Sequence, residues 1–90
     1  MGTRPLPGAD LIEAGIRDLA DGIESVPSLV VSIGAPRLRR AGIEVPAAIP
    51  EPEHRLYVLL ASEAPARAYS RYNALIRRLV SYERSLAFAG

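Results

Sequence analysis

Two groups of side chains in this sequence have the types that could do chemistry. His54 stands beside Glu51 and Glu53, the donor types of a metal site, and Glu83 interrupts an apolar helical stripe near Tyr69 and Tyr72, where a carboxylate could exchange a proton. Neither group assembles a constellation. Neighbouring residues of a helix point in different directions, so Glu51, Glu53 and His54 fit a helix start better than a shared ligand set. Glu83 reads as a seam carboxylate that takes a donor from a tyrosine or from an arginine of a neighbouring helix, within the chain or from a second copy. No serine sits in a nucleophile-elbow pattern, no glycine run has phosphate-loop spacing, and there is no cysteine. The sequence therefore predicts no enzyme, with no catalytic, cofactor-binding or metal-binding residue.

Arginine is the other informative residue type. All 11 basic residues are arginine, with no lysine and no glutamine, the composition of a GC-rich bacterial coding sequence with thermophilic bias. Arg37, Arg39 and Arg40 follow Gly34-Ala35-Pro36 and precede Gly42. A turn feeding a short arginine-rich helix has the outline of half a helix-turn-helix, and its guanidiniums could meet phosphates or guanine edges. That helix would be short, and Arg40 falls where an inward apolar residue is expected. Arg67, Arg71 and Arg78, with Tyr82 at their edge, form a second stripe that could follow a phosphate backbone. Net charge +1 and pI near 8.2 fall short of the basic balance of most nucleic-acid binders. The charges are also split along the chain: the segment 10–24 is acidic and 66–88 is arginine-rich. Arg67, Arg71 and Arg78 are accordingly expected to face Glu13, Asp21 and Glu24.

The elements that must position these groups read as helices. Residues 1–9, with Pro5, Pro7 and Gly8, have no periodicity and read as a flexible arm; residues 10–90 form one domain. Asp10 opens a helix over 11–23, with Glu13 three residues on as in a capping box. Its apolar arc includes Gly15 and Gly22, which implies either close approach of another backbone or a loosened last turn. Ser25 caps a second helix through Ile33 with Pro27 in its first turn, although the β-branched run Leu29–Ile33 also suits a buried strand. Pro36 to Ala41 gives one or two further turns, stopped by Gly42. Pro46, Pro50 and Pro52 then enforce an extended connection. The helix over 53–62 is apolar almost all round, as a central buried helix should be, with 56–60 as its strand alternative.

The last helix, 66–88, dominates the reading. Tyr69, Tyr72, Ile76, Leu79, Glu83 and Leu86 alternate by three and four, the spacing of a bundle or coiled-coil seam. At 1.5 Å per residue the helix runs roughly 35 Å, more than so small a domain covers alone. A chain of 90 residues without cysteine has a marginal single core, which leaves association as its support. The expectation is an all-α bundle of three to four helices, with α+β as the alternative fold. It acts as a homodimer through those six seam residues, in protein interaction or assembly. The alternative function is nucleic-acid binding through Arg37, Arg39, Arg40, Arg67, Arg71 and Arg78. The longest apolar run, Leu56–Ala61, is far below the roughly 20 residues of a membrane span, and the cytoplasm is the default compartment.

Overall fold

The computed structural model describes residues 6–89, and over that span the chain forms four α-helices and no strand. They are α1 (Ala9–Ala20), α2 (Val26–Arg40), α3 (Pro52–Glu63) and α4 (Ala68–Ala89), with a 3-10 turn at Pro65–Arg67 leading into α4. The all-α expectation holds, and both stretches that suited strands lie inside helices. None of these helices is long and apolar enough to cross a membrane.

The central helix is α2, not α3. It touches each of the other three, and α1 packs along it most extensively. Ser28 through Ser32 are buried on every side of the helix, as are Ala35 and Leu38. The two serines survive this burial because each is bonded: Ser32 Oγ donates to the Ser28 carbonyl at 2.8 Å and accepts from the Ile49 amide at 3.0 Å, and Ser28 completes the cap described below. By contrast α3, expected to be buried all round, buries only Leu56 and Leu60 and leaves Tyr57 and Val58 exposed.

The break expected at Gly34-Ala35-Pro36 does not occur, because α2 runs through all three residues. Pro36 removes the N–H from which the Ser32 carbonyl would accept, a cost of about 3 kcal/mol in an isolated helix. Full burial of a leucine or valine contributes about 1.5–3 kcal/mol. Leu29, Val30, Val31 and Leu38 are all fully buried, so packing outweighs the local penalty several times over.

Helix ends show which local signals were obeyed. Gly22 and Gly42 each follow a helix with positive φ, 71° and 93°. Beyond them the Ile23 amide donates to the Asp18 carbonyl at 2.8 Å and the Ile43 amide to the Leu38 carbonyl at 3.0 Å, the Schellman pattern that suits glycine at this position. Of the two glycines in the apolar arc of α1, then, Gly22 ends the helix and Gly15 admits a neighbour. A Cβ at Gly15 would collide with the Pro27 carbonyl oxygen and Val31 Cγ2. Ser25 caps α2 as expected, through a reciprocal pair with Ser28 (3.2 and 2.7 Å), and its hydroxyl also donates to Asp18 at 2.6 Å, tying the end of α1 to the start of α2.

Asp10 does not cap α1. Gly8 holds the N-cap position, while Asp10 lies in the first turn and receives two hydrogen bonds from Arg78 Nη2, at 3.0 and 3.2 Å. The arm also ends earlier than its composition indicates. Leu6 packs on the core, and a Cβ at Gly8 would lie 2.9 Å from the Arg78 carbonyl oxygen, so residues 6–9 rest on the molecule; residues 1–5 of the expected arm lie outside the described residues.

Candidate interaction surface

In α4 the inward line is rotated from the one the sequence suggests. Ala68, Leu79 and Tyr82 are buried, with Tyr72, Leu75 and Leu86 packed beside them. Tyr82, expected at the edge of the arginine face, fills the space next to Gly8 at the start of α1. The rotation turns Tyr69 outward, to 72% exposure, and leaves Ile76 and Val80 half-buried on the same flank. Of the six seam residues, Leu79 is buried within the chain, and Glu83 and Leu86 are half-buried beside α2. Tyr69, Tyr72 and Ile76 remain available.

Those three adjoin α3. The rings of Tyr57 and Tyr72 meet with centroids 6.2 Å apart at 60°, a tilted pair of the kind that favours aromatic contact. Tyr69 and Ile76 lie one turn to either side of Tyr72 on α4. Tyr57 is 42% exposed and Val58 beside it is more so. The result is a strip of aromatic and aliphatic surface along α3 and α4. Burial, with a smaller contribution from the Glu53 charge, raises the Tyr72 hydroxyl above the usual tyrosine value, so that hydroxyl stays protonated at neutral pH.

Glu83 lies against α2. One oxygen is 3.7 Å from Arg37 Nη1, an ion pair longer than a hydrogen bond, and the other is buried with no donor among the described residues. Gly34 makes room for it: a Cβ there would lie 2.7 Å from Leu79 Cδ1 and 3.0 Å from Glu83 Oε2. The arginine expected beside Glu83 thus lies within the chain, as an ion-pair neighbour at 3.7 Å and not as a hydrogen-bond donor. Neither Tyr69 nor Tyr72 can reach it, since 11 residues of one helix are roughly 16 Å.

The arginines do not form one face. Arg39 donates to the Val45 and Pro46 carbonyls at 3.2 and 2.9 Å and pins the proline-rich connection. Arg71 pairs with Glu63 at 3.1 Å, Arg78 with Asp10 at 3.0 Å, and Arg55 with Glu24 at 3.0 Å. Among the described residues none of Arg67, Arg71 and Arg78 pairs with Glu13, Asp21 or Glu24 as expected; the acidic first helix meets the last one through Asp10 and Arg78 instead. Arg67 has no carboxylate within ion-pair distance among the described residues. Because α2 is continuous, Arg37, Arg39 and Arg40 occupy its last turn and no helix-turn-helix exists there. His54, Glu51 and Glu53 are all exposed, and no group of three metal-ligating side chains forms among the described residues.

The sequence reading missed Tyr57 as a surface residue, because the run Leu56–Ala61 carries no polar phase to say which side faces out. It also missed a cleft of about 430 Å³ between the C-terminal halves of α2 and α4, lined by Arg37, Arg40, Ala41, Glu83, Leu86 and Ala87. Its residues are far apart in sequence and come together where α4 packs on α2 beside Gly34. Compared with protein-family models, curated proteins and solved structures, the chain matches none.

Proposed function

We propose that the chain is a cytoplasmic assembly module that associates with a second copy of itself through the strip formed by Tyr57, Tyr69, Tyr72 and Ile76. The observation that carries this reading is the strip's composition and place: three tyrosines and an isoleucine on two adjacent helices, with Tyr69 72% exposed. Tyrosine is enriched in interface cores because it offers a large rigid apolar body and a polar tip. A two-fold axis near Tyr72 sets like residues of both chains against each other, the self-complementary arrangement of a symmetric dimer. This covers apolar surface that a domain of this size cannot bury by itself. The role is structural, in holding partners together, and the reading assigns no reaction and no cofactor.

Sedimentation of the wild type and of a Tyr57→Ser/Tyr69→Ser variant tests it. Both positions are exposed, so the variant should keep its fold by circular dichroism. The wild type should sediment as a dimer at micromolar concentration and the variant as a monomer. A monomeric wild type, or a variant that dimerises equally well, overturns the proposal.

A further inference from the structure

The cleft between α2 and α4 is separate from the tyrosine strip and carries a different chemistry. Its walls at Ala41, Leu86 and Ala87 are apolar, and Arg37 and Arg40 stand at its rim. The Arg37 side chain is 65% exposed and its only carboxylate neighbour among the described residues is Glu83, at 3.7 Å. Arg40 is exposed and has no carboxylate within ion-pair distance among the described residues. Two guanidiniums, each with five planar donors, therefore flank a small apolar floor with most of their donors unused.

We propose that this cleft binds an acidic, aliphatic peptide segment of a partner protein, with its carboxylates on Arg37 and Arg40 and a leucine-like side chain against Leu86. Charge complementarity selects that occupant. A guanidinium fork matches a carboxylate in two-point contact, and the apolar floor rewards a side chain that a bare polyanion lacks. Glu83 weighs against nucleic acid, because its carboxylate repels a continuous phosphate track at the cleft's inner end and no aromatic residue lines the cleft for base stacking. Glu83 thus selects discrete carboxylates over a polyanion. This site does not depend on self-association and holds for a monomer as well as a dimer.

Fluorescence anisotropy with a labelled peptide of alternating glutamate and leucine tests the proposal, alongside a lysine-leucine peptide, a polyglutamate and a single-stranded RNA. The glutamate-leucine peptide should bind with micromolar affinity at low salt and weaken as salt rises. An Arg37→Gln/Arg40→Gln variant should bind about tenfold more weakly, as expected for losing charge-assisted contacts. An Arg17→Gln/Arg67→Gln variant of the same net charge should bind as the wild type does. Glu83→Gln should bind the polyglutamate more tightly than the wild type. In ¹H–¹⁵N spectra the peptide should shift resonances of residues 34–41 and 83–88 and leave those of Tyr57 and Tyr69 in place. Absence of binding at millimolar peptide, equal loss in the two charge-matched variants, or tighter binding of RNA than of the glutamate-leucine peptide would each overturn it.

Discussion

The two sides of α2 are built differently. Against α1, backbone meets backbone: Gly15 lies so close to the Pro27 carbonyl that no side chain fits between them. Against α4, a glycine again makes the contact, but Gly34 receives the flexible ends of Leu79 and Glu83, and one oxygen of that glutamate is buried without a donor among the described residues. On the first side the nearest atom to Gly15 is a backbone carbonyl oxygen, with Val31 beside it. The second is packed through side chains that can shift, it holds an unsatisfied polar atom, and it borders the arginine cleft, while the tyrosine strip lies on the outer flank of the same helix. The closest backbone approach lies at α1–α2, and the packing through flexible side-chain ends lies at α4.

Substitutions at the two glycines break that comparison most sharply. Gly15→Ala should destabilise by about 3 kcal/mol, the upper end of overpacking costs, because the obstruction is a backbone carbonyl that cannot rotate away. Gly34→Ala should cost less, about 1–2 kcal/mol, since Leu79 Cδ1 and Glu83 Oε2 can each retreat. Urea denaturation measures both. Equal losses would mean that the α4 side is as rigid as the α1 side.

Glu83→Leu has the opposite sign. It removes a buried oxygen that has no donor and gives up only a 3.7 Å pair, so stability should rise by about 1 kcal/mol. A fall in melting temperature would show that the Arg37 contact outweighs the unsatisfied oxygen.

The smallest effects come from titration. Hydrogen bonds from Arg78 hold the Asp10 carboxyl below its usual 3.8, so the stability that pair contributes is present above that value and is lost as pH falls through the lowered one. Burial raises Tyr82 and Tyr72 above the usual 10.0, helped by the charges of Glu13 and Glu53, so their contribution is present below pH 10 and is lost as pH rises through the raised values. Thermal melts should show losses at both limits, and Arg78→Gln should soften the acid limb with little change at neutral pH.

Much of the fold was legible in the residues. Ser25 as a cap, Gly42 as a stop and the phase of α1 are local signals, and each was obeyed because nothing in the packing opposed it. The continuity of α2 was not legible: Gly34-Ala35-Pro36 carries every local mark of a turn, and only the burial of Val30, Val31, Ala35 and Leu38 on one element overrides it. The candidate surface was half legible. Tyr69, Tyr72 and Ile76 stood out by spacing, but a helix wheel cannot say which edge of a wide apolar arc faces inward. That was decided by Tyr82 settling beside Gly8, a contact between residues 74 positions apart.

We propose that a second copy docks on the surface left open on α3 and α4. Recording ¹H–¹⁵N spectra of the intact chain from low micromolar to millimolar concentration tests it residue by residue. Concentration-dependent shifts should be confined to residues around Tyr57 on α3 and Tyr69, Tyr72 and Ile76 on α4, with α1 unchanged. Spectra that do not change with concentration, or shifts that map to α1 instead, would contradict it.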